Sequence, residues 1–369
     1  MRTMNKAICT AVLALLFAAP ALLFAQGERK DKQAVTFEEI YDEPYSINKL
    51  FVHFQPLYGE LFVTNVNAGY GIEASYYMKD KADFKVALRK TYSQRFFDLS
   101  RDLAANNSSV DNETEVYNYF EFGGTYHIKD FEKSSKTDMT LYKKSYAGNK
   151  WAARVPLQAE VPCKVRIVYG ARLGAILWDS STDLGRALAA QNLTNADLTN
   201  VNTADTQYPT LPITETDPEN PNRQRNVNPF TNIASQAIYI GGSYTWIRNI
   251  AVNFDKFEEG IDDLILTTYF DILFAPATRL DNVVYTHRDV NGQPIPGSTN
   301  TYSIKALSTQ SLGFRAGIEG KFNRQLGWAY GGEVGYRPSL EGRGFFALLK
   351  ISFPVFGTQL DYKVESFGK

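Results

Sequence analysis

Residues that carry enzyme chemistry are scarce in this chain, which has three histidines and two cysteines among 369 residues. None of His53, His127 and His287 has a serine or cysteine in a recognised nucleophile motif, and no G-x-S-x-G occurs. No His or Cys pair stands at metal-ligand spacing. The Asn- and Asp-rich stretch lacks the regular D-x-D-x-D-G of a calcium loop. Asp262 and Asp263 are paired carboxylates, but neighbours in a strand point to opposite faces, so they read as a solvated strand end. These absences predict a chain that is not an enzyme, with no catalytic residue, metal or cofactor. Charge of one sign is also missing: 39 Lys and Arg balance 40 Asp and Glu. Nucleic acid is therefore not an expected partner.

Long apolar runs are absent beyond the first two dozen residues, which excludes a transmembrane helix of ~18 residues or more. At the start, Arg2 and Lys6 precede an apolar run from Ala7 to Phe24, interrupted by Pro20 and ending Leu23-Phe24-Ala25 before Gln26. This pattern predicts a cleavable signal peptide over 1–25. Its removal takes the formal charge from -1 to -3 and leaves Cys163 alone, since Cys9 lies early in the apolar run. One thiol cannot close an internal disulfide, so an exported chain of this kind is stabilised by other means.

Aromatics, by contrast, are abundant: 22 Tyr and 24 Phe, with 26 Gly. They fall in alternating segments. Between 164 and 177, Val165, Ile167, Tyr169, Ala171, Leu173, Ala175 and Leu177 share one parity; Lys164, Arg166, Val168, Gly170, Arg172, Gly174 and Ile176 share the other, largely polar or small. Leu312, Phe314, Ala316, Ile318, Gly320 and Phe322 oppose Gly313, Arg315, Gly317, Glu319 and Lys321 in the same way. Two further segments, 328–337 and 345–353, repeat the pattern. Such strands run ~11–14 residues, enough to cross a bilayer at a tilt. A soluble antiparallel sheet also alternates. Length, strand number and aromatics near strand ends (Tyr76, Tyr126, Trp178, Trp246, Trp328, Tyr336) favour a membrane barrel.

The expected architecture is an all-β transmembrane antiparallel barrel of about 12 strands (roughly 10–14), with short periplasmic turns and long extracellular loops. A charged periplasmic arm over 26–46 precedes a barrel over 47–369. Candidate strands lie near 47–57, 61–78, 82–97, 114–128, 150–161, 164–178, 234–247, 262–275, 301–322, 326–337 and 343–353, with 358–367 as another. Long polar connections are expected at 98–113, 129–149, 179–233 and 276–300, the third reading as a flexible polar loop. With all four outside, the strands do not alternate cleanly up and down. A strand is therefore miscounted in 129–161 or 248–260.

If the apolar parity faces lipid, the charged parity lines the lumen: Glu73, Lys85, Arg89, Arg166, Arg172, Arg315, Glu319, Glu333 and Arg337. Two readings stay open. The charges set solute selectivity in an open channel, or they pair across a narrow barrel and fill it.

The Ala25/Gln26 junction, the Val155-to-Pro162 segment, the Tyr269-to-Pro276 strand and the Gly331-to-Pro338 hairpin together resemble outer-membrane β-barrel proteins of Bacteroidota. The resemblance implies a place, the cell outer membrane, and a set of roles: solute channels, transporters of hydrophobic compounds, and barrel subunits of secretion, gliding or assembly machines. The chain departs from the common barrel pattern at its end, Phe367-Gly368-Lys369, where a terminal aromatic is usual. The functional expectation is a structural subunit of an outer-membrane complex, with a channel or transporter as the alternative. Expected partners are outer-membrane lipid and other envelope proteins.

Overall fold

The computed structural model describes residues 37–62, 65–78, 81–92, 109–114, 117–144, 157–254, 256–323 and 328–357. The expected signal peptide and the 358–367 strand lie outside the described residues.

The first strands in chain order are β1 (Phe37–Asp42), β2 (Leu50–Phe62), β3 (Asn65–Met78), β4 (Ala82–Thr91), β5 (Asn118–Leu141) and β6 (Leu157–Asp183). Helix α1 (Leu184–Ala190) and the short strands β7 (Thr199–Asn200), β8 (Thr214–Asp217) and β9 (Asn220–Asn226) follow. Next come β10 (Phe230–Phe254), β11 (Gly260–Leu280), β12 (Val283–Arg288), β13 (Pro294–Ser303) and β14 (Thr309–Gln310). The last are β15 (Leu312–Lys321), β16 (Ala329–Tyr336), β17 (Ser339–Leu340) and β18 (Phe345–Gly357).

Ten strands close on themselves in the order β10-β11-β15-β16-β18-β2-β3-β4-β5-β6, every pair antiparallel, with β6 returning to β10. The expected 12 is thus corrected to 10, and each error has a local cause. The segments 150–161 and 164–178 were divided at Pro162, but Pro162 sits inside β6 opposite Lys136 of β5. Proline is tolerated there because β6 is near an edge: below Arg166, β10 leaves it and takes β1 as partner. The expected external connection 129–149 begins instead as the second half of β5, which stays strand to Leu141. Its Lys129-to-Lys136 stretch lacks an apolar parity because it runs past the apolar belt. The segment 301–322 is broken between β13 and β15.

These corrections restore the up-and-down alternation. One end of the barrel, the turn end, holds the short β3–β4 and β10–β11 turns and the start of β2. The other, the loop end, holds the long segments between β6 and β10 and between β11 and β15.

The sidedness is inverted relative to a soluble protein. Phe54, Leu57, Ile72, Phe84, Val86, Leu88, Phe120, Phe122, Leu173, Ile240, Phe270, Ile272, Phe314, Leu349 and Phe353 all face outward and exposed. The inward parity carries buried Glu60, Arg89, Glu121, Arg172, Asp271, Arg315, Glu333 and Arg337. A continuous apolar exterior of this extent is unfavourable in water and favourable in hydrocarbon.

Beyond the belt, both ends are folded. At the turn end, the last half of β5 and the first half of β6 pack over the end of β10 around Met139, Val161, Cys163, Ile250, Val252 and Phe254. The tips are tied by Lys144 N–H to the Lys256 carbonyl (3.0 Å) and Glu258 N–H to the Tyr142 carbonyl (2.8 Å). Outward positions here are polar: Ser134, Lys136, Asp138 and Thr140 are exposed.

At the loop end, the segment that reads as a flexible polar loop carries a core of its own. Leu184 and Leu188 of α1 bury against Leu198, Leu211, Val283, Tyr302 and Leu340. Asp183 caps α1 by accepting from the Arg186 amide (3.1 Å), and Thr194 and Asp197 form a capping box around one 3-10 turn. His287 stacks on Tyr208 (centroids 3.7 Å apart) and its Nε2 lies 2.6 Å from the Tyr302 hydroxyl. Burial holds the imidazole below its ordinary pKa. A depressed folded-state value means the unfolded cap binds the proton more readily, so the neutral ring's contribution is complete above about pH 6.5 and is lost as pH falls. Amide exchange in β12 and β13 should therefore speed up between pH 7.5 and pH 5.5, once corrected for intrinsic rates. An unchanged protection, or the same change in His287→Gln, would count against this.

Candidate functional site: the ion-paired lumen

Inward side chains come in layers. Nearest the loop end, Phe62, Trp178, Tyr117, Ile233, Leu273 and Phe346 form an apolar lid. Arg337 threads it: Nη1 lies 2.5 Å from Glu60 Oε1 and donates to the Tyr117 hydroxyl at 3.0 Å, with the guanidinium 4.1 Å over the Phe346 ring. Below is the central hub. Arg315 Nε donates to Asp271 Oδ2 (2.8 Å), Nη2 to Glu121 Oε1 (2.6 Å) and Nη1 to the Tyr119 hydroxyl (3.1 Å). Glu333 Oε2 lies 3.6 Å from the same guanidinium. Arg172 Nε donates to the other Asp271 oxygen at 2.9 Å. Arg89 lies 3.8 Å over the Tyr119 ring.

A third layer, toward the turn end, sets Lys350 2.6 Å from both Glu73 Oε2 and Glu319 Oε1. Lys85 bonds Glu319 from the opposite wall. Gln55 donates to Glu73 (3.2 Å). Below these, Phe51, Val168, Ile247 and Ile265 close the floor, with Tyr77 packed against them.

The lumen is therefore crossed by bonds. Arg315 stands on β15 and Glu121 on β5, across the barrel; Lys85 on β4 and Glu319 on β15 are on opposite walls. The free space in the turn-end half is a cavity of about 40 Å³, room for a few waters or one compact ion.

Of the residues expected in the lumen, Glu73, Arg89, Arg172, Arg315, Glu319, Glu333 and Arg337 are brought together in these layers. Arg166 is not: it pairs with Asp130 by two bonds (2.9 and 2.6 Å) where β10 leaves β6 for β1. Sequence reasoning missed Asp271, Glu121, Lys350, Lys321 and Glu60. The first four share the inward parity of their strands and were legible by that rule. Glu60 was hidden by the bulge between Gln55 and Tyr58, around Pro56, which reverses the parity of β2.

Glycines make the hub possible. A Cβ on Gly317 would collide with the Tyr269 ring, and one on Gly174 with the Tyr239 ring. These rings lie against Arg172 (4.0 Å from Tyr269) and Arg315 (4.5 Å from Tyr239). Gly317→Val should therefore destabilise by ~1–3 kcal/mol through overpacking, read as a lower urea midpoint. Gly332→Val, whose Cβ would face outward onto Leu349, should move it far less.

No protein-family model matches the chain, and no curated protein does. Among the solved structures that match is OmpTdeltaL8, a loop L8 deletion mutant of OmpT, an outer membrane protein of Vibrio cholerae. The identity is 6%, with a TM-score of 0.16, over 84% of this chain and 99% of that one. One expectation is corrected here. The exclusion of an enzyme is withdrawn, and a likeness this remote assigns no activity in its place. The fold also pairs His127 Nε2 with Asp83 Oδ2 at 3.1 Å, a juxtaposition that residues 44 positions apart did not reveal.

Proposed function

We propose that the chain is an integral outer-membrane barrel that serves as a closed structural subunit of an envelope complex. The observation that carries this reading is the set of ion pairs crossing the lumen, between the apolar lid and floor. A channel needs a path with sites weak enough to leave. Here the charges are spent on one another. The short turns at one end and long loops at the other favour a periplasmic turn end and an external loop end. That orientation presents the folded continuation of β5, β6, β10 and β11 to the periplasm, as a second body for partners to hold.

The expected result in planar bilayers is silence from a barrel that is folded by heat-modifiable gel mobility. Steady ion-selective steps altered by Arg315→Gln would sink the closed reading and restore the channel. In cross-linked outer membranes the chain should be recovered with envelope proteins at fixed stoichiometry; a strictly monomeric population would remove the subunit role.

A further inference from the structure

The turn-end cavity contains a base left out of the lumen's exchange of charges. Lys85 and Lys350 are matched by Glu73 and Glu319, and Arg172 by Asp271. Lys321 reaches from β15 to the opposite wall and finds a hydroxyl, donating to Ser75 Oγ at 2.8 Å. The rings of Phe51 and Tyr77 lie 4.7 Å from its Nζ. Among the described residues no carboxylate stands within ion-pair distance of it. A half-buried ammonium held only by a hydroxyl and two ring faces is under-compensated.

Three carboxylates line the same cavity, but each has its own partner: Glu73 and Glu319 hold Lys350, Glu319 also holds Lys85, and Asp83 lies 3.1 Å from His127 Nε2. His53 is buried and lines the same cavity; its ring stacks on Phe51 and makes no hydrogen bond among the described residues. In its neutral form the imidazole offers one N–H. The hydroxyls of Ser75 and Ser352 also face the space. With those carboxylates engaged, the Lys321 ammonium, an imidazole N–H and hydroxyls remain facing about 40 Å³, which suits one compact anion and excludes a larger solute.

We infer that this cavity is a binding site for a single compact monovalent anion, a halide or a carboxylate, held by Lys321 and His53. The inference does not depend on the subunit role.

The test uses the purified full chain, folded in micelles, at constant ionic strength with gluconate as the bulky reference anion. Bromide or formate should raise the melting temperature by ~2–4 °C, and Lys321→Met should abolish that rise while keeping heat-modifiable mobility. Laurate, too long for the cavity, should give no rise, and a rise with laurate but with neither bromide nor formate would overturn the site. Response to none of them, or an undiminished response in Lys321→Met, overturns the site. Should that variant not fold, crystals of the unaltered chain grown in bromide decide: an anomalous peak within hydrogen-bond reach of Lys321 Nζ supports the site, and its absence removes it.

Discussion

Replacing Arg315 with methionine should destabilise the barrel by ~3–5 kcal/mol, the cost of leaving buried carboxylates without their counter-charge. Arg315 is 1% exposed and bonds Asp271, Glu121 and Tyr119 at once. Methionine fills much of the volume, so the loss is electrostatic rather than a cavity. Arg172 still serves Asp271, but its distance to Glu121 is 4.0 Å, too long to replace the lost bond. Urea unfolding in lipid vesicles, followed by tryptophan fluorescence, measures the effect. Adding Glu121→Gln to Arg315→Met should recover a substantial part, because the second change removes the stranded charge. Simple addition of the two losses would show that the groups are not coupled. The network does not make the fold more stable than an apolar core of equal volume would; it makes removal of any one member expensive.

Leu173→Arg should have the second large effect, a loss of ~2–4 kcal/mol in a bilayer. Leu173 faces outward, 61% exposed, midway along the part of β6 that pairs with β10. On a soluble sheet such a change stays within ~0.5 kcal/mol. In hydrocarbon the guanidinium loses its water with no partner to replace it. Thr140→Arg, on the part of β5 beyond the belt, is the control and should be close to neutral. Equal effects at the two positions, together with a chain soluble without detergent, would make the apolar exterior a protein-binding surface instead of a lipid-facing one.

The class of fold was legible because each outward side chain in the belt obeys one local rule. Alternation at Leu312 to Lys321, or at Val165 to Leu177, needs only the two-residue period of a strand, and the inward charges follow from the same parity. The count of strands was not. Pro162 reads as a break because proline removes a backbone donor; whether that donor is needed depends on the neighbouring strand, and β1 comes from more than a hundred residues away. The polar stretch from Lys129 to Lys136 carries no belt signal because it is strand in water.

The cap was hidden for a related reason. Leu184, Leu198, Leu211 and Tyr302 are scattered among polar residues, and no short window shows that they meet.

What the sequence alone determined, then, is sidedness: apolar residues on one parity, charges and glycines on the other, and so a barrel with a charged interior. What only the tertiary structure decided is whether that interior is open. Channel and closed barrel share the same parity. The difference lies in which strand faces which, and closure of β6 on β10 brings Arg315 to Glu121 and Lys85 to Glu319 across a lumen narrow enough to span.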